Sequence, residues 1–88
     1  MTRQRVYKLI DGERDYQDAR WSDGRPMSDE TTPVAAWILY MEKHLSLAKE
    51  RVYNLDENAA LSQIRKVTAL GVACMENNKT PARKEVRE

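Results

Sequence analysis

Residues 33–53 constrain the fold more than any other segment, because they read as a helix that is apolar along two lines. Val34, Ile38, Met41, Leu45, Ala48 and Val52 recur at alternating spacings of four and three. Trp37, Tyr40, His44 and Leu47 keep the same rhythm beside them. A strand would alternate with period two, so the pattern selects a helix. One apolar line suffices to pack a helix on a neighbour. A second line on a chain of 88 residues predicts a further surface to be covered, by a partner chain or by a ligand.

The segments around this helix carry their own signals. Thr32 reads as its N-cap and Pro33 as its first residue, where a missing N–H costs nothing. Asn54-Leu55-Asp56 is a short connection, and Asp56 can cap a second long helix from Glu57 to about Asn77. So short a link predicts an antiparallel helical hairpin. Leu61 and Ile64 give the second helix one apolar face, but from Val67 to Met75 nearly every position is apolar or small. Such a stretch predicts burial all round. Gly71 lies within it and costs about 1 kcal/mol against alanine, for which close packing is the expected compensation.

The N-terminal part is less decided. Val6-Tyr7-Lys8-Leu9-Ile10 fits a short strand or the first turns of a helix, and Asp11-Gly12 fits a turn or a helix start capped by Asp11. From Glu13 to Trp21 a helix is expected, with Tyr16 and Arg20, and Gln17 and Trp21, sharing faces at a spacing of four. Residues 22–31 read as a polar loop. The expected organisation is a flexible N-terminus at 1–5, one helical domain at 6–78 and a flexible charged tail at 79–88. The fold class is all-α: a short N-terminal helix, then a long antiparallel hairpin, assembling as a homo-oligomeric bundle. A chain this small buries only roughly 60–65% of its unfolded surface, so self-association is a natural remedy.

Composition removes several function classes. The single cysteine, Cys74, allows neither an internal disulfide framework nor a cysteine-only zinc site. Set in the run Val72-Ala73-Cys74-Met75, it reads as a small core residue, consistent with a reducing cytoplasm. Fifteen basic against fourteen acidic residues leave a formal charge of +1, which argues against general nucleic-acid binding. The second long helix also lacks a recognition face rich in Arg, Asn and Gln. The longest apolar run, Val34 to Met41, is eight residues, far short of a membrane span.

The remaining chemistry lies in aromatic and basic side chains. Trp21, Tyr16, Trp37 and Tyr40 can stack a planar base, and Arg14, Arg20, Arg65 and Lys66 can pair with phosphates. Arg65 and Lys66 stand where the apolar half of the last helix begins. His44 is the sole histidine, without a second histidine or a nearby nucleophile, so it reads as a packed or interface residue. Glu13, Asp15 and Asp18 are the acidic residues of the first helix. A helical magnesium site needs carboxylates converging from neighbouring helices, usually as Glu-x-x-Glu pairs, and none occurs here. A solvated face with ion pairs to Arg14 and Arg20 is the expectation for them.

Three resemblances extend these readings. The strings 9–21 (Leu-Ile-Asp-Gly-Glu-Arg-Asp-Tyr-Gln-Asp-Ala-Arg-Trp), 36–42 (Ala-Trp-Ile-Leu-Tyr-Met-Glu) and 64–76 (Ile-Arg-Lys-Val-Thr-Ala-Leu-Gly-Val-Ala-Cys-Met-Glu) together resemble small uncharacterised proteins of tailed bacteriophages. Glu13-Arg14-Asp15-Tyr16-Gln17 and Lys66-Val67-Thr68-Ala69-Leu70 resemble segments of the MazG-like all-α nucleotide pyrophosphohydrolases, whose metal-binding acidic pairs have no match here. In size and expected helix layout the chain is similar to phage sponge proteins that sequester cyclic nucleotide immune signals, an analogy of architecture alone.

The leading expectation is therefore a phage-encoded homo-oligomer in the host cytoplasm. It would capture a small anionic ligand, a nucleotide or cyclic nucleotide, without turnover, cofactor or metal. The ligand-binding residues expected are Tyr16, Arg20, Trp21, Arg65, Lys66, Trp37 and Tyr40. Two alternatives stand beside it: a magnesium-dependent pyrophosphohydrolase using Glu13, Asp15 and Asp18, and an inhibitor that binds a host protein through its aromatic line.

Overall fold

A computed structural model describes residues 1–21 and 32–84. It contains three helices and, among the described residues, no strand: α1 (Arg3–Trp21), α2 (Val34–Tyr53) and α3 (Glu57–Asn77). The loop expected at 22–31 and the last four residues of the expected tail lie outside the described residues.

The first helix is not short. It runs for 19 residues, straight through Asp11-Gly12, and takes in the segment 6–10 that also fitted a strand. Gly12 has open space around the position of a Cβ, so the backbone uses it as an ordinary helical residue and not as a turn. Neighbouring structure explains the override of the local turn signal. Ile10, Glu13, Arg14 and Gln17 are all buried, and burying them needs one continuous helical face across the glycine.

Helix α2 opens at Val34, one residue later than expected. Pro33 is the cap, with an extended ψ of 157°, and its carbonyl accepts from the N–H groups of Ala36 at 3.0 Å and Trp37 at 3.3 Å. Helix α3 starts as the sequence predicts: Asp56 Oδ1 accepts from the Ala59 N–H at 3.0 Å.

The link between α2 and α3 is a Schellman turn. The Asp56 N–H donates to Arg51 O at 2.9 Å, and the Leu55 N–H donates to Val52 O at 3.0 Å. This geometry places Leu55 in the left-handed region at φ 59°, where glycine is the usual occupant. A left-handed L-residue costs roughly 1–2 kcal/mol, and Leu55, 92% exposed, recovers nothing by burial. Leu55→Gly is therefore expected to raise stability by about 1 kcal/mol, after allowance for the freer unfolded glycine, as a higher urea midpoint at unchanged slope. An unchanged or lower midpoint would show that the leucine side chain offsets its own strain.

Both other helices pack on α3. The core is small: Trp37, Leu70 and Ala73, with Trp21, Met41 and Cys74 packed against it. Ala48, Ala60 and Ala69 are also buried, so much of the interior is methyl groups and close helix approach. Of the two lines on α2, α3 covers the boundary. It buries Trp37 from one and Ala48 from the other, leaving Val34, Ile38, Leu45 and Val52 exposed.

Two packing expectations for α3 are corrected. Its apolar half is not buried all round: Ala69, Leu70 and Ala73 are buried, but Thr68 and Met75 are exposed. Two neighbouring helices can cover only part of a helix circumference. Gly71 is not required by a close backbone approach within the chain either. A Cβ there would meet only Met41 Sδ, at an ordinary 3.7 Å.

Candidate functional site

The three helices line a half-open cleft of about 340 Å³, within the range of small-molecule sites. Helix α1 contributes Glu13, Tyr16, Gln17, Arg20 and Trp21 at spacings of three and four, which is one face of a helix. Helix α2 contributes Tyr40, Lys43 and His44, and α3 contributes Lys66 and Leu70.

One side of the cleft is made rigid by Arg14, which is buried. Its Nε donates to Glu76 Oε1 at 2.9 Å and its Nη2 lies 3.0 Å from Asp18 Oδ1, while Nη1 donates to Gln17 Oε1 at 3.3 Å. Burial works against the Arg14 charge, but Glu76 and Asp18 outweigh it, and its pKa lies above the ordinary guanidinium value. The guanidinium also sits over the Trp21 ring, 5.5 Å from its centroid. Trp21 in turn meets Trp37 at 5.6 Å between centroids, with the rings tilted by 56°. Trp21 is thus a fixed wall, held from α1, α2 and α3 together.

Five of the seven expected binding residues line this cleft: Tyr16, Arg20, Trp21, Tyr40 and Lys66. Trp37 does not. It is 0% exposed, in the core beneath Trp21, and presents no face to a ligand. Its indole Nε1 is buried and, among the described residues, has no hydrogen-bond partner. Arg65 is also not a lining residue. Its Nε donates to Glu13 Oε1 at 2.7 Å, and this ion pair joins α1 to α3. Among the described residues that line the cleft, Glu13 is the one carboxylate, and Arg65 compensates its charge without standing in the cleft.

The cations that remain are Arg20, Lys43 and Lys66. Arg20 donates to the Tyr16 hydroxyl at 3.0 Å, with its guanidinium 5.7 Å from the Tyr16 ring centroid. Among the described residues, Lys43 and Lys66 have no ion-pair partner. His44 Nδ1 lies 2.9 Å from Gln63 Oε1, and since an amide oxygen only accepts, this ring nitrogen is the donor. Lys43 and His44 join the expected set as lining residues. Lys43 gave no signal in sequence because charged residues on a helix exterior look alike until a neighbouring helix makes one side concave.

The acidic residues do not converge. Glu13 is tied to Arg65 and Asp18 to Arg14, whereas Asp15 is exposed. The ion pair expected between this face and Arg14 is present at Asp18, and that of Glu13 goes instead to α3. Among the described residues, no group of three or more His, Cys, Asp or Glu side chains is arranged to hold a metal ion.

No family model, curated protein or solved structure matches this chain. The site must be read from its own chemistry. Among the described residues, no helix is long and apolar enough to cross a membrane.

Proposed function

We propose that the chain is a phage-encoded binding protein that captures a nucleotide or cyclic nucleotide in its cleft without turning it over. In this reading α2 and α3 form an antiparallel hairpin, and copies of the chain assemble as a homo-oligomer in the cytoplasm of the infected host. The observation that supports the reading is the meeting of exposed aromatic rings with two lysines, Lys43 and Lys66, that have no ion-pair partner among the described residues. Tyr16 and Tyr40 offer ring surface for a base, worth about 1–3 kcal/mol per stacked base in single-stranded complexes. Lys43, Lys66 and Arg20 stand at the same cleft to meet phosphate oxygens. Arg65 supports them by holding the Glu13 carboxylate.

Native mass spectrometry before and after addition of mono-, di- and cyclic nucleotides tests the reading directly. The expected result is retention of an intact nucleotide mass, one per cleft, with no product mass over time. A chain that ignores every nucleotide at millimolar concentration would overturn it. Release of pyrophosphate or monophosphate with magnesium would move the reading to hydrolysis.

A further inference from the structure

His44 stands one helical turn from Tyr40 and next to Lys43, and all three line the cleft. Its Nδ1 donates to Gln63 Oε1 at 2.9 Å, and Gln63 is not among the lining residues. A partner outside the cleft therefore fixes the tautomer. With the proton on Nδ1, Nε2 of the neutral ring is an acceptor. Among the described residues Nε2 has no hydrogen-bond partner, and it is not sealed from solvent. It is the ring nitrogen left open to a ligand. The charged and titratable groups that share the cleft with it are Glu13, Tyr16 and Arg20 of α1, Tyr40 and Lys43 of α2, and Lys66 of α3.

Lys43 and Lys66 are donors only, so the cleft offers two charged donors and one nitrogen that can take a proton. A phosphate monoester matches that set. Its second ionisation lies near about pH 6, so it exchanges a proton around neutrality. Two of its terminal oxygens can meet the ammonium groups, and the third can meet Nε2 with one proton between them. That proton completes the pair equally as P–O–H donating to Nε2 or as imidazolium N–H donating to the phosphate. Above about pH 7 an ordinary imidazole and a phosphate monoester both lack it, so it comes from solvent on binding. A cyclic phosphodiester has only two non-bridging oxygens, a single charge and no ionisable hydroxyl. With both oxygens on the lysines it brings nothing to donate to Nε2 and less charge to draw a proton onto the ring.

We propose that Lys43, His44 and Lys66 form a subsite for a phosphate monoester, in which His44 Nε2 shares one proton with the phosphate and so selects a nucleoside monophosphate over its cyclic diester. The proposal rests on the nucleotide reading above and narrows it to one ligand class. Gln63 is the positioning residue, holding the ring from outside the cleft.

The test is isothermal titration calorimetry of the full chain with the monophosphates of adenosine, guanosine, cytidine and uridine, with their 3′,5′-cyclic counterparts, and with inorganic phosphate. Each titration is run in two buffers of different ionisation enthalpy, so that the difference in heat counts protons. The best-bound monophosphate is expected to exceed its own cyclic form by roughly tenfold, about one charge-assisted hydrogen bond. It should take up a proton on binding, and its affinity should therefore fall as pH rises from about 5 to 8. His44→Gln keeps a polar side chain and removes the titrating nitrogen. It is expected to abolish the proton uptake and bring the ratio of the two forms towards one, with residual binding through the lysines. A histidine that only packs would, on substitution, weaken both forms alike and leave the uptake in place. Equal or tighter binding of the cyclic form, or proton uptake that survives His44→Gln, would overturn the subsite alone. Inorganic phosphate bound as tightly as every monophosphate would keep the subsite and overturn the nucleotide reading. A chain that binds none of these probes would overturn both.

Discussion

Trp37→Ala is expected to cost about 3–5 kcal/mol of folding stability, the range for emptying a buried aromatic site. Trp37 is the largest fully buried side chain described, and the core around it is otherwise Leu70, Ala73 and partly buried neighbours. Alanine and leucine cannot collapse far into so large a void. Native domains hold roughly 0.05–0.15 kcal/mol per residue, so the loss approaches the whole stability of a chain this small. Urea denaturation followed by circular dichroism measures it. Trp37→Phe separates packing from polarity. It keeps a ring against Trp21 and removes the unpartnered indole N–H, whose desolvation itself costs about 1–3 kcal/mol. Trp37→Phe should therefore stay within about 1 kcal/mol of the wild type. A Trp37→Ala midpoint close to that of the wild type would mean that the core is centred elsewhere.

Charge reversal of the two cleft lysines is the second large effect. Lys43→Glu with Lys66→Glu is expected to weaken nucleotide binding by roughly a hundredfold or more at unchanged helicity. Each charge-assisted hydrogen bond is worth about 1.5–3 kcal/mol, and a tenfold change needs only about 1.4. Reversal adds repulsion to the loss. Isothermal titration calorimetry at low and high salt is the measurement, and the wild-type affinity should itself fall with salt. Glu13→Gln should act in the opposite direction and strengthen binding several-fold, because it removes the only carboxylate among the described lining residues. If the double lysine variant bound as well as the wild type, the cleft would not be the anion site.

These residues differ in how far the sequence disclosed them. Tyr16, Arg20 and Trp21 were legible because helical spacing puts them on one face, and that face forms one wall of the cleft. Tyr40 was legible as an aromatic on the second line of α2. Trp37 has the same residue chemistry and the same helical line as Tyr40, yet it lies three residues away in the core. Composition cannot separate an aromatic that stacks a ligand from one that fills a core; only the position of α3 does. Arg65 and Lys66 are adjacent in sequence and about 100° apart on the helix, so one meets Glu13 and the other lines the cleft. Lys43 and His44 are brought to the site by helix packing, which a single helix pattern does not encode.

By itself the sequence determined the all-helical class, the extents of α2 and α3 to within a residue, the Asp56 cap and the outer limit of what 88 residues can bury. These follow from local physics: periodicity, capping and chain length act within a few residues of one another. The tertiary structure decided that α1 continues through Gly12, because the buried face of Ile10, Glu13, Arg14 and Gln17 outweighs a local turn preference. It also decided which side of each helix meets its neighbours. That choice separates core from cleft from exposed surface, and it depends on contacts between residues up to 62 positions apart, as between Arg14 and Glu76.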